Sequence, residues 1–140
     1  MKTSDLRRRV AEAISAAHSK KAEDVTVLKM DRDPPSFTDY FVIASGSNPR
    51  QIQAISDEVE QRLAAMGLNP THVEGYSQAE WVLLDYVDFV VHVFSEKARK
   101  YYDLERLWES ATRLHPSELK PTRKQVARRS TPRTRARSKR

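Results

Sequence analysis

The sequence predicts an α/β domain: a mixed β-sheet with helices packed against it. Three observations predict that class. Two stretches, residues 5–18 and 49–66, repeat apolar side chains at steps of three and four, the spacing of an amphipathic helix. Several runs of strand length are β-branched and apolar, or alternate in polarity. The order of these pieces, α-β-β-α-β-β-β-α, suits a sheet with helices layered on it.

Leu6, Val10, Ile14 and Ala17 form the stripe of the first helix, with Ser4 as its expected cap. Lys20 to Asp24 is a polar link, and Val25 to Met30 reads as a strand. Asp31-Arg32-Asp33-Pro34-Pro35-Ser36 reads as a loop, because two prolines remove two backbone donors. Tyr40 to Ser45 is apolar on both faces and reads as a buried strand. Asn48 and Pro49 fit the cap and first position of the second helix. Its stripe is Ile52, Ile55, Val59, Leu63 and Met66, and Gly67 can supply the left-handed residue that closes it. After the Asn69-Pro70 turn, His72 to Tyr76 is a short strand; Glu80–Tyr86 and Asp88–Phe94 are two central ones. Ser95 is placed to cap a last helix running to about Leu114, with Leu104, Leu107, Trp108 and Ala111 as its apolar face. His115-Pro116 ends it.

Composition narrows the function classes. The 140 residues suggest one domain, read here as residues 1–115, followed by a tail from 116 to 140. There is no cysteine, which excludes disulfides, thiolate catalysis and sulfur-ligated zinc. No apolar run approaches the roughly 20 residues of a membrane span. Arg7-Arg8-Arg9 is not followed by an apolar block, so a secretory signal is not expected. The net charge of +6 is unevenly spread: residues 116–140 hold ten Lys or Arg against one acid, Glu118, a charge of +9 that leaves −3 for residues 1–115. The tail is almost free of apolar residues and is expected to be disordered. Its cations, among them Arg123, Lys124, Arg128, Arg129, Arg133, Arg135 and Arg137, are the composition of a phosphate-backbone contact. It has no aromatic residue, so base stacking by the tail is not expected.

Candidate contact residues come from strand alternation. In the run Trp81–Tyr86, Val82 and Leu84 suit a face buried under helices, so Trp81, Leu83 and Asp85 face the other way. An outward Trp beside a Leu and a carboxylate makes a protein-binding patch, since large aromatics dominate interface energetics. The residues alone allow a plainer role, in which Trp81 covers the core edge and Asp85 starts the turn. His92 shares a face with Val90 and Phe94; a lone strand histidine is more often a hydrogen-bonded structural residue than a ligand. Tyr102 lies off the last helix's stripe, where it presents a ring and a hydroxyl. The other histidines show no metal spacing.

These segments also carry a resemblance. Thr38-Asp39-Tyr40-Phe41-Val42-Ile43, Gly46-Ser47-Asn48-Pro49-Arg50, Glu74-Gly75, Trp81-Val82-Leu83-Leu84-Asp85-Tyr86, Asp88–Phe94 and Tyr102–Trp108, in this order, resemble the ribosomal silencing factor family, also called Iojap-like. The likeness covers roughly residues 20 to 110. It implies a protein without enzymatic activity, cofactor or metal. Such a protein acts in the cytoplasm, binds the large ribosomal subunit through that subunit's protein fourteen, and keeps the subunits apart to repress translation. It supports Trp81, Leu83, Asp85, His92 and Tyr102 as the contact set; the tail lies outside the likeness, and ribosomal RNA as its partner is expected from its composition alone. Oligomeric state, a homodimer included, stays open.

The family also resembles the nucleotidyltransferase fold, and this raises a rival reading as an RNA-modifying enzyme. Gly46-Ser47 at a strand end can hold a phosphate, and Asp57-Glu58-Val59-Glu60 mimics the carboxylate half of that signature. Those acids, however, fall on the solvated side of the second helix's stripe. Asp85 and Asp88 are offset by three and point to opposite faces, whereas a two-metal site needs converging carboxylates about 3.5–4 Å from ion to ion. The expected fold is therefore nucleotidyltransferase-like without the catalytic carboxylates. A third reading is an RNA-binding adaptor led by the tail. One departure from the family pattern is Val87, where a glycine is usual; a tight turn there needs positive φ, which Val resists, so another turn type is expected.

Overall fold

The computed structural model describes residues 3–30, 38–108 and 111–119. Helix α1 (Thr3–Ser19) leads to strand β1 (Glu23–Lys29), and β2 (Tyr40–Gly46) is followed by helix α2 (Pro49–Ala65). Then come β3 (His72–Glu74), β4 (Trp81–Asp85), β5 (Phe89–Ser95), the short helices α3 (Glu96–Tyr102) and α4 (Leu104–Leu107), β6 (Thr112–Leu114) and a 3-10 turn at Pro116–Leu119. The expected 31–36 loop lies outside the described residues.

The six strands form one sheet in the order β3-β4-β5-β2-β1-β6. Only β2 and β5 run parallel, paired from Tyr40↔Phe89 to Gly46↔Ser95; the other neighbours are antiparallel. The sheet is mixed, as the element order predicted. β2 and β5 lie at its centre and are buried along almost their whole length, because both their faces are covered.

Helices α1 and α2 cover one face. Leu6, Val10, Ile14 and Ala17 from α1 and Ile52, Ile55, Val59 and Leu63 from α2 pack on Val27, Val42, Val82, Leu84, Val91 and Val93. Each fully buried Ile, Leu or Val here contributes roughly 1.5–3 kcal/mol. Arg62 of α2 clamps the helices together, donating to Glu58 Oε2 at 2.8 Å and to Ser15 Oγ of α1 at 3.0 Å. Asn48 Oδ1 accepts from Gln51 N–H at 2.8 Å, the expected cap of α2. At the other end Gly67 takes φ +83, and Leu68 N–H donates to Leu63 O while Gly67 N–H donates to Ala64 O, a double-bonded helix stop.

The second face carries a smaller core of Leu28, Phe41, Ile43, Val90 and Phe94 under Ala98 and Leu104, with Trp81, Leu83, Trp108 and Ala111 packed at its rim. Helices α3 and α4 therefore cover part of this face as well.

Four expectations are corrected. Helix α1 starts at Thr3, so Ser4 lies inside it rather than capping it. The last helix does not run to Leu114. Asp103 adopts a left-handed φ of 47°, which ends α3; α4 is a single turn, and Thr112–Leu114 pairs with Val27–Lys29 as the sheet's edge strand. Pairing satisfies the outer backbone groups of β1, which a continued helix would have left open. Leu107, assigned to an apolar face, is 70% exposed. The tail boundary at Pro116 is too early, because Leu119 is buried in the main core and Arg7 of α1 donates to the Glu118 carbonyl. Residues 120–140, and with them the seven tail cations proposed to meet RNA, lie outside the described residues.

The turn after β4 differs too. Val87 takes φ +72, with Asp88 N–H donating to Tyr86 O at 2.8 Å, a three-residue γ-turn. Val87 thus accepts the positive φ it was expected to refuse. Asp85 Oδ1 accepts from Val87 N–H at 2.8 Å and holds the turn closed.

Candidate docking surface

β4 presents its side chains alternately. Val82 and Leu84 are fully buried under the helices, while Trp81, Leu83 and Asp85 are half-buried on the second face. Cross-strand register sets Trp81 opposite Phe94, Leu83 opposite His92 and Asp85 opposite Val90. The sheet thus brings four of the five candidate residues together, and α3 delivers the fifth: the Tyr102 ring lies 4.6 Å from that of Trp81.

Trp81 is held from three sides. Phe94 lies beneath it at 5.0 Å, Tyr102 beside it, and its Nε1–H donates to His92 Nδ1 at 3.1 Å. His92 is enclosed, with only 3% of its surface exposed, and Phe41 meets its ring edge-on at 4.6 Å. Burial drives its pKa down to about 3, so the ring is neutral. Because Nδ1 accepts, the proton sits on Nε2, a buried atom with no hydrogen-bond partner among the described residues. His92 therefore serves the surface from beneath, as the partner that orients Trp81. Asp85 has its Oδ1 committed to the turn while the residue stays partly exposed, so both roles considered for it are compatible.

Some members of this cluster escaped sequence reasoning. Phe41 and Trp108 extend the aromatic row, their rings 5.7 Å apart. The alternation of β2, a strand buried on both sides, gave no hint which face Phe41 would join. Arg99 is the other. Its guanidinium donates to Ser45 Oγ at 2.8 Å, Thr26 Oγ1 at 3.2 Å and Glu105 Oε2 at 2.9 Å, tying α3 and α4 to β1 and β2. Tyr102, one turn beyond Arg99, is held over Trp81 in consequence. Nothing in the spacing of Thr26, Ser45, Arg99 and Glu105 signals that they meet.

The rival phosphate site is arranged differently from a nucleotide-binding loop. Ser47 N–H donates to Gln51 Oε1 at 2.6 Å, and Gln51 Nε2 bonds the carbonyls of Lys20 and Lys21, so the α2 start is filled by its own side chain. A Cβ on Gly46 would come within 2.8 Å of Ile52 Cγ1, a packing reason for that glycine. Asp57 accepts from the Tyr76 hydroxyl at 3.1 Å, and Glu58 pairs with Arg62. Burial and nearby Asp57 raise the pKa of Glu60. Among the described residues no three acids or histidines are grouped to hold a metal ion, and no helix is long and apolar enough to cross a membrane.

Residues 3–140 match the family model described as ribosomal silencing factor during starvation. The chain belongs to the ribosomal silencing factor family. The match extends beyond the 20–110 span of the motifs at both ends and takes in the tail. The ribosomal silencing factor of Halalkalibacterium halodurans is 42% identical over 99 residues, covering 71% of this chain and 84% of that protein. A mouse protein named mitochondrial assembly of ribosomal large subunit protein 1 is 29% identical over 100 residues, 68% of this chain and 42% of that one. The crystal structure of a Chromobacterium violaceum protein superposes with a TM-score of 0.70 at 33% identity, over 73% of this chain and 84% of that one.

Proposed function

We infer that this chain regulates translation as a ribosome-associated factor, and that it does so by steric blockade. The family name and the large-subunit role in the mouse relative's name support a partner on the large ribosomal subunit. The observation that carries the docking reading is Trp81, half-buried yet fixed by His92, Phe94 and Tyr102 on an outward sheet face. A large ring held in one orientation loses little further entropy on binding, which is what an interface anchor requires. Leu83 widens the apolar contact, and the partly exposed carboxylate of Asp85 is placed to meet a basic residue. The partner is the large subunit's protein fourteen, and the bound domain fills space that the small subunit needs. No chemistry is involved. The nucleotidyltransferase-like reading has less support, since the α2 start is occupied by Gln51 and the α2 acids are engaged along one helix.

The tail, +10 over residues 120–140, adds salt-sensitive affinity for ribosomal RNA. Sedimentation with purified subunits tests the reading. The full chain should co-migrate with the large subunit and deplete joined ribosomes. A chain ending at residue 119, which keeps the core residue Leu119, should bind more weakly but still bind. Complete loss of association on that truncation would transfer the function to the tail.

A further inference from the structure

The outer side of α3 and α4 has features that the docking reading does not use. Lys97, Lys100 and Tyr101 fall at i, i+3 and i+4 and are exposed along one side of α3, while Ala98 packs on the sheet. Tyr101 is 80% exposed, and its ring stands edge-on to Tyr102 at 5.0 Å. The left-handed Asp103 turns the chain so that α4 diverges from α3, opening a shallow concavity of about 470 Å³ lined by Lys100, Tyr101, Tyr102, Arg106 and Leu107 along with Asp103. Arg99 and Glu105 neutralise each other, whereas Lys97, Lys100 and Arg106 form no ion pair with any described residue. The first 119 residues carry −4, from 15 cations and 19 acids. Lys97, Lys100 and Arg106 thus flank an exposed aromatic ring on a body whose charge sums to an acidic value.

We propose that this surface binds single-stranded RNA, with one base stacked on Tyr101 and the flanking phosphates met by Lys97, Lys100 and Arg106. A protruding ring with cations spaced one helical turn apart is the arrangement that serves stacking and backbone contact together. The surface is continuous with the Trp81–Tyr102 patch through the Tyr101–Tyr102 contact, so a partner built of protein and RNA can occupy both at once. Unlike the tail, which lacks aromatic residues, this site reads a base face.

Fluorescence anisotropy of a labelled oligouridylate of about 12 nucleotides, titrated with the full chain across a range of salt, tests the proposal without a ribosome. Its failure would leave the docking reading untouched. Tyr101→Ala is expected to weaken binding at least five-fold, while Tyr101→Phe, which keeps the ring face, is expected to match the unaltered chain. Lys97→Gln with Lys100→Gln should reduce the salt slope by about 1.4, at roughly 0.7 per phosphate contact of a single strand. All three positions are exposed, so circular dichroism should be unchanged. Unaltered affinity and slope in these variants would overturn the proposal and leave the tail as the source of RNA binding. Loss of binding to phosphatidylglycerol vesicles with RNA binding intact would overturn it in favour of a membrane surface.

Discussion

The indole N–H of Trp81 donates to Nδ1 of His92 across the β4–β5 ladder at 3.1 Å, and this bond decides the chemistry of both residues. It fixes the histidine as the Nε2-protonated neutral tautomer and fixes the plane in which the indole is presented. An enclosed imidazole cannot keep that role once it is charged.

Stability should accordingly depend on pH. His92 has a pKa of about 3 in the folded chain, below its ordinary value of 6.5, so the unfolded chain binds the proton more readily between these limits. The contribution of neutral His92 is fully present above about pH 6.5 and is lost progressively as pH falls towards 3. Its size is on the order of a few kcal/mol. Urea midpoints measured against pH should fall across this window, and His92→Gln, which cannot titrate, should flatten that part of the profile. An identical profile in the variant would assign the acid limb to other groups.

Val87 holds φ +72 with its side chain 56% exposed, so its β-branched carbons are strained without being packed. Val87→Gly should raise stability by about 1 kcal/mol, the relief of strain exceeding the added freedom of the unfolded chain. Thermal melts would register this as an upward shift. A lower melting temperature would mean that the side chain makes a stabilising contact in the turn.

Gly75 is demanding in the opposite sense. It has φ +79, and a Cβ there would lie 2.1 Å from the carbonyl oxygen of Trp81. Gly75→Ala must push the start of β4 away, at a cost of roughly 2 kcal/mol or more. Since the displaced atom belongs to Trp81, docking should weaken along with stability. A variant as stable as the parent would show that the loop can shift freely.

Leu119 closes the main core from beyond the apparent end of the domain. Leu119→Ala should cost about 2–5 kcal/mol, the range for a buried leucine. Chemical denaturation measures it directly, and a change below about 0.5 kcal/mol would return this residue to the tail.

Periodicity carried most of the architecture. The stripes of α1 and α2, the Asn48 and Gly67 caps and the opposed faces of β4 all follow from spacing, because one side of each is buried against a single layer. What escaped was governed by contacts distant in sequence. Residues 104–114 keep an apolar period that suits a helix, yet the open edge of β1 takes Thr112–Leu114 as a strand, and only the tertiary partner decides between them. The candidate surface shows the same division. Trp81, Leu83 and Asp85 were legible from alternation within one strand. The enclosure of His92 depends on Phe41 across the sheet, and the placement of Tyr102 depends on Arg99 reaching Ser45 and Thr26.

The central claim is that a fixed Trp81 anchors the chain to the large ribosomal subunit. Binding of the full chain and of Trp81→Ala to purified large subunits, compared by sedimentation with folding checked by circular dichroism, tests it most directly. The account predicts a loss of about 2 kcal/mol, roughly 30-fold in affinity, with joined ribosomes restored. Undiminished binding by a folded Trp81→Ala chain would contradict it.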